Sequence, residues 1–389
     1  MRLTDRMNRL GTETAFEVFA RAQALERQGR DIVHLELGEP DFPSPDAAIE
    51  AGIAALRAGV TKYTTPPGLL ELRARIAELE GPRRGLRFVP EQVVVTPGAK
   101  PIMFYVILAL AQEGDEVLYP DPGFPIYESM IRFAGATPVP YPLREDNDFC
   151  MDSGYVASRL SPRTRLVIIS SPNNPTGGVE PRENLAGLAG ILKNHNTWIL
   201  SDEIYSHFIF EGSHHSIASL DGMPEKTIIL DGFSKTYSMT GWRLGWGIMP
   251  PELVPHITRL IINSVSCTAG FSQKGGMGAI SALEQAVPPM LEEYRRRREV
   301  IISGLNQIPG VRCARPRGTF YAFPNVSSFG TKSREIANYL LETAGVACLS
   351  GTAFGDQGEG HLRLSFANSV DKIRIALDRM GDALGRFPG

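Results

Sequence analysis

The stretch Asp231-Gly-Phe-Ser-Lys-Thr-Tyr-Ser-Met-Thr-Gly-Trp-Arg-Leu-Gly-Trp246 decides how this chain is read. It is fed by Thr227-Ile-Ile-Leu230, a short β-branched apolar run bounded by turn residues, which predicts a buried strand. Lys235 then stands in the loop at that strand's carboxyl end, the edge of an open α/β sheet where ligands bind. Arg243 follows eight residues on. Desolvation and a nearby cation such as Arg243 lower an ammonium pKa. The neutral amine that results attacks carbonyls, as a Schiff base requires. The plain alternative is an ordinary surface lysine, which Ser-Lys-Thr alone does not exclude.

Working outward, strands are predicted at 92–96, 116–119, 165–170, 198–202, 227–231 and 243–248. They alternate with helices at 101–113, 125–135, 182–194 and 251–263, so a mainly parallel sheet covered by helices on both faces is expected. The strand ends carry the chemistry. Thr96-Pro-Gly-Ala-Lys-Pro101 opens a helix, with Gly98 allowing a tight turn and Pro101 suiting the first helical turn. Free N–H groups there form an anion site suited to phosphate, although the spacing is not that of a Walker A loop. Phe124, in a proline-bounded loop, either stacks on a planar cofactor or belongs to the core. Asn174, in Ser170-Ser-Pro-Asn-Asn-Pro-Thr-Gly-Gly178, either donates to a phenolate oxygen or carboxylate, or simply forms a turn.

Asp202 ends the buried run Trp198-Ile-Leu-Ser-Asp-Glu-Ile-Tyr205, where an unpaired carboxylate is costly. A protonated pyridine nitrogen would supply its cation, and Tyr205 could bond a neighbouring oxygen on the same ring. Arg243 with Ser234 provides for a phosphate dianion. Arg363, among the alternating apolar residues of His361-Leu-Arg-Leu-Ser-Phe-Ala367, meets either a structural carboxylate or a substrate carboxylate.

The N-terminal part predicts a helix at 14–28, a strand at 31–37 and the loop Gly38-Glu-Pro-Asp-Phe-Pro-Ser-Pro45, which no helix could traverse. A helix at 46–59, capped by Ser44 or Asp46, and another at 69–80 follow. Beyond about 281 the texture becomes α+β: a charged helix at 291–305, then short strands around Cys313, 319–323, 346–349 and 361–366. The expected division is 1–45 (arm and part of a small domain), 46–280 (large domain) and 281–389 (small domain).

Across 389 residues, 43% are hydrophobic, enough for a substantial core. A formal charge of −3 gives no electrostatic case for nucleic acid or an anionic membrane. Arg295-Arg-Arg-Arg298 sits beside Glu292, Glu293 and Glu299 and reads as a charged helix face. Cys150, Cys267, Cys313 and Cys348 lie far apart, as reduced thiols do. The first residues lack an apolar signal core and the longest apolar run, Ile102 to Ala111, is too short for a bilayer. A soluble cytoplasmic protein with no metal is expected.

Taken together, Gly38-Glu-Pro-Asp41, Lys62-Tyr63, Asn174-Pro-Thr-Gly177, Asp202-Glu-Ile-Tyr205, Ser234-Lys-Thr236, Gly241-Trp-Arg-Leu-Gly245 and Arg363-Leu-Ser365 resemble the class I, fold type I aminotransferases that use pyridoxal 5'-phosphate. The branch they look most similar to is the aspartate-aminotransferase-like one. The resemblance runs, in the family's order, from about Arg30 to the last helix, and the ordered set is far more specific than any one motif. It implies an α/β fold, with a mainly parallel seven-stranded sheet between helices and a smaller α+β domain. By the same resemblance Lys235 forms an aldimine and shuttles a proton, and Asp202 pairs with the ring nitrogen. Tyr205 and Asn174 bond the phenolic oxygen, and Phe124 stacks on the ring. Gly98, Ala99, Lys100, Ser234 and Arg243 surround the phosphate, with Tyr63 arriving from the other subunit of a homodimer. Arg363, assisted by Asn174 and the Gly38 backbone, holds the α-carboxylate.

Two departures stand out. Phe124 occupies a position where the family commonly has Tyr or Trp, so a polar handle is lost, and Pro101 stands where Gln is more common. The implied activity is amino exchange between an L-amino acid and a 2-oxo acid by a ping-pong mechanism, with aspartate and 2-oxoglutarate as the default pair. Other reactions on the same scaffold (a β-lyase, a decarboxylase, a cyclopropane-forming synthase) are the first alternative. A non-catalytic sensor domain is the second, and the short stretch before Gly38 disfavours it. Side-chain specificity is open: Lys100 is a candidate cation for a distal carboxylate, whereas Glu13, in Gly11-Thr-Glu-Thr14, would deter one.

Overall fold

Apolar runs that can be buried on both faces account for the central sheet. The computed structural model describes residues 3–387. After the short strand β1 (Val33–His34) come β2 (Val93–Thr96), β3 (Glu116–Asp121), β4 (Thr137–Pro142), β5 (Thr164–Ser170), β6 (Trp198–Asp202), β7 (Thr227–Gly232) and β8 (Gly245–Ile248). From β2 to β8 they form one seven-stranded sheet in the order β2-β8-β7-β6-β5-β3-β4. Only β8 runs antiparallel to its neighbours. In β5, Leu166 and Ile168 pack on the side of helices Lys100–Leu110, Ile126–Ala134 and Val254–Ile262. Val167 and Ile169 pack on the side of Ser153–Arg159 and Arg182–Leu192. With both parities apolar, each such side chain contributes about 1.5–3 kcal/mol of burial, and the run shows no alternation.

β4 has no counterpart among the strands expected from sequence, and its prolines explain why. Pro138, Pro140 and Pro142 occupy alternate positions of an edge strand that pairs with β3 alone. The residues in phase with Thr137 and Leu143 donate to β3, as the bonds from Thr137 N to Asp115 O and from Leu143 N to Asp121 O show, each within 2.9 Å. The prolines therefore lack an N–H only on the unpaired side, where none is needed.

The C-terminal strands are β9 (Tyr321–Ala322), β10 (Val346–Ala347), β11 (Leu349–Ser350) and β12 (Leu362–Ser365). β12 lies between β9 and β11 in an antiparallel sheet, and β10 pairs in parallel with β1. The strand expected over 31–37 thus shrinks to two residues, Val33–His34. No strand forms at Cys313, only an isolated bridge between Arg312 and Asn325. Arg243 precedes β8 in the left-handed region at φ 52°, where a strand had been expected to begin. Ser44 does not cap the helix Asp46–Arg57, whose N-cap is Pro45; its hydroxyl donates to Ser238 O at 2.9 Å.

The charged helix extends over Leu283–Gln307. Its arginine block is only partly a solvated face: Arg297 and Arg298 are buried and reach Asp41 and Glu211. All four cysteines are free thiols. Among the described residues no helix is long and apolar enough to cross a membrane.

Candidate active site

The carboxyl ends of β5, β6 and β7 open into a cavity of about 580 Å³, which the Gly38 loop, β12 and the start of the helix Lys100–Leu110 complete. Asp202, the last residue of β6, accepts from the Tyr127 hydroxyl at 2.5 Å and from the Ile204 N–H at 3.2 Å. Burial pushes its carboxyl up to about 6, and those two donors only partly offset the effect. Among the described residues no cation pairs with it.

β7 ends in a single turn, Phe233–Thr236, which carries Lys235. The Lys235 ammonium donates to Gly38 O at 2.6 Å. Burial pulls its pKa down to about 8, Glu39 and Glu13 oppose the change, and Arg363 and Lys100 reinforce it. The assisting cations are therefore Arg363 and Lys100 rather than Arg243. Gly38 has no room for a side chain, because a Cβ there would lie 1.8 Å from the Tyr321 hydroxyl.

Arg243 lies against the turn before the helix Lys100–Leu110. It donates to Thr240 O at 2.8 Å and to Pro97 O at 3.4 Å. Gly98, at φ +88°, permits this approach, since a Cβ would stand 2.4 Å from the guanidinium. Ala99, Lys100, Ser234 and Arg243 all line the cavity. The Lys100 ammonium, however, is turned to the Glu13 carboxylate and sits 5.3 Å from the centre of the Phe124 ring. Phe124 lines the cavity, edge-on to Tyr127.

Arg363 is buried in β12. It donates to Glu36 O and, at 3.3 Å, to Asn174 Oδ1, and it stacks 4.4 Å from the centre of the Tyr321 ring. Among the described residues its Nε has no hydrogen-bond partner and no carboxylate pairs with it. Of the two readings of this arginine, the structural carboxylate is not met. The Tyr205 hydroxyl bonds that of Tyr321 at 2.8 Å. Tyr63 is not part of this cavity; it is 88% exposed.

Three contributors carried no assignment from sequence: Tyr127, Tyr321 and Glu39. Tyr321 sits in an apolar run like a core tyrosine, and Tyr127 lies between a proline-bounded loop and the polar Glu128-Ser129, where nothing local sets it apart. Glu39 lies within the proline-rich loop already singled out. The donor set fits pyridoxal 5'-phosphate. A buried carboxylate lacks a cation, a buried guanidinium lacks a carboxylate, an amine is partly deprotonated, and a helix start with an arginine lies beside them.

The family model for aminotransferase class I and II matches residues 30–380. The aspartate aminotransferase of Pyrococcus horikoshii is 39% identical over 370 residues, covering 95% of this chain and 93% of its own. Aromatic-amino-acid aminotransferase 2 of Thermococcus litoralis is 36% identical, covering 99% and 98%. Among solved structures, the aspartate aminotransferase from Thermus thermophilus with maleate superposes with a TM-score of 0.94 at 37% identity, covering 98% of this chain and 100% of that one. The chain belongs to the class I and II aminotransferases and is an enzyme dependent on pyridoxal phosphate.

Proposed function

We propose that this aminotransferase exchanges the amino group between an L-amino acid and a 2-oxo acid in two half-reactions of the ping-pong type, with aspartate and 2-oxoglutarate as its default pair. The observation that carries the proposal is a pair of charges on one cavity that are unmatched among the described residues, Asp202 without a cation and Arg363 without a carboxylate. Pyridoxal phosphate, when bound, supplies an aldehyde and a cationic ring that draws charge from the substrate's α-carbon. Asp202 keeps the ring nitrogen protonated, and each unit by which it raises that pKa is worth about 1.4 kcal/mol. Tyr205 and Asn174 orient the phenolic oxygen, and Phe124 covers a ring face. Gly98, Ala99, Lys100, Ser234 and Arg243 hold the phosphate through backbone N–H groups, a hydroxyl and the guanidinium.

Arg363 grips the α-carboxylate through its fork, aided by Asn174 and the Gly38 backbone. Lys235, with a pKa near 8, offers a substantial fraction of free amine just above neutrality. Its Nζ takes the substrate's α-proton and later returns it. Tyr63 is assigned to the cavity of a second copy in a homodimer located in the cytoplasm. The division at 45 and 280 belongs to the same proposal, supported by β1 pairing with β10 across the chain. Lys235→Ala tests the assignment: it should abolish keto-acid formation from any amino donor while the fold, read by circular dichroism, persists. Near-normal turnover in that variant would refute it.

A further inference from the structure

Of the four cations among the described residues that line the cavity, Lys235, Arg243 and Arg363 contact cofactor or substrate in the proposed chemistry, whereas the ammonium of Lys100 only adds to the field that lowers the Lys235 pKa. That ammonium is ion-paired with Glu13. Glu13 occupies the N-cap position of the helix Thr14–Glu26, where a shorter oxygen-bearing side chain would close the first turn. Its carboxylate makes no cap bond and accepts from the Lys100 ammonium instead, both residues lining the cavity. Its side chain is 19% exposed against 45% for Lys100, so the acid is the more enclosed partner. The segment before it is tethered, since the Gly11 N–H donates to Ser129 Oγ at 2.9 Å. Besides its charged groups the same cavity has a neutral stretch of wall, which includes Thr14, Ala15, Phe16, Phe124 and Phe354, with Phe124 next to the Lys100 ammonium.

Resting on the aminotransferase reading above, we propose that Glu13 determines side-chain specificity, as a built-in carboxylate that occupies Lys100 and disfavours substrates with a distal carboxylate. An uncharged side chain meets the neutral wall and leaves the pair intact. A dicarboxylate must take Lys100 from Glu13 and then lie beside a like charge. The default pair is therefore accepted through partner exchange at Lys100, and apolar or aromatic donors enter without it. Glu13 acts on binding and does not itself carry the transferred proton.

The test is calorimetric titration of the cofactor-loaded enzyme with two unreactive ligands, succinate and 3-phenylpropionate. In Glu13→Gln, succinate should bind about tenfold tighter, with 3-phenylpropionate within about twofold of wild type. Glu13→Ser, which installs a preferred cap residue, should show the same shift with an intact fold. Adding Lys100→Gln to Glu13→Gln should remove the gain. Unchanged or weaker succinate binding in both Glu13 variants overturns the inference. If wild-type enzyme bound neither ligand and exchanged no amino group with any donor, the aminotransferase reading itself would fail, and this inference with it.

Discussion

Asp202 turns its carboxylate toward the cavity and meets two neutral donors, whereas Glu203, the next residue, turns into a closed cluster. Glu203 accepts from Arg84 at 2.8 Å, from His214 at 2.9 Å and from the hydroxyls of Ser201 and Ser216 at 2.8 and 2.6 Å. Arg84 also touches Glu80 and Asp231. Both acids are buried, yet burial drives Asp202 up to about 6 while Arg84 and His214 take Glu203 well below the usual carboxylate range. Between these two neighbours, equally buried, the cation at hand decides which is ionised; Asp231, which shares Arg84 with Glu80, is still pushed up to about 8 by burial and by Glu80. The pleat makes the separation, because consecutive residues at a strand end point to opposite sides. One acid is left for a ligand to complete, and the other is completed by the protein.

The largest effect is expected on the closed side. Arg84→Met leaves Glu80, Glu203 and Asp231 buried around a missing cation, and stability should fall by about 3–5 kcal/mol in chemical denaturation. A loss below about 1 kcal/mol would break the contrast, since it would mean that the cluster is as tolerant of an unpaired acid as the cavity is.

Asp202→Asn should do the opposite. Turnover should fall about 10²–10³-fold through loss of charge stabilisation, while the cofactor-stripped protein matches wild type near pH 4 and is the more stable of the two above pH 6, where wild type buries an ionised carboxylate. The pH dependence sharpens this. Asp202 rises from an ordinary 3.8 to about 6, so the folded stripped protein holds a proton that the unfolded chain releases. Its contribution therefore falls as pH climbs from about 4 to 6, by about 3 kcal/mol, and is flat above. Glu203 has the reverse sign: its stabilisation is full above its ordinary 4.5 and is lost as pH drops below. Subtracting the Asp202→Asn curve from wild type, both stripped of cofactor, should expose the first slope alone. A flat difference between pH 4 and 6 would contradict the environment assigned to Asp202.

How far these regions were legible in sequence follows from the range of the forces involved. Lys235 and Asp202 could be singled out because each places a charge at the end of an apolar strand, and Arg363 because it is a charge among alternating apolar residues, local conflicts that only a ligand or a distant partner resolves. β5, β6 and β7 were legible for a related reason, as uninterrupted apolar runs. β4 was not, because three prolines argue against a strand until it is known to be an edge. Arg84 gave no signal either: it follows a charged helix, and its partners Glu203 and Asp231 lie 119 and 147 residues away. Likewise the Glu13–Lys100 pair spans 87 residues, so the sequence offered both members as candidates without joining them. Contacts of that range are made by tertiary placement alone.

The smallest effect concerns the one side chain that partly completes Asp202. The Tyr127 hydroxyl donates to the carboxylate and lowers its pKa against burial. Tyr127→Phe removes a net hydrogen bond worth about 1 kcal/mol and should leave Asp202 titrating above its present value. A protonated Asp202 cannot serve a cationic ring, so cofactor retention should weaken as pH drops through the Asp202 pKa in both proteins, with the fall beginning at higher pH in the variant. At pH 8, where both carboxylates are ionised, retention should differ only about three- to tenfold, the share of one hydrogen bond. Cofactor absorbance after gel filtration across pH 5 to 8 would read both numbers. Superimposed curves would mean that Tyr127 packs against Asp202 without tuning it, and that the cavity acid owes its state to burial alone.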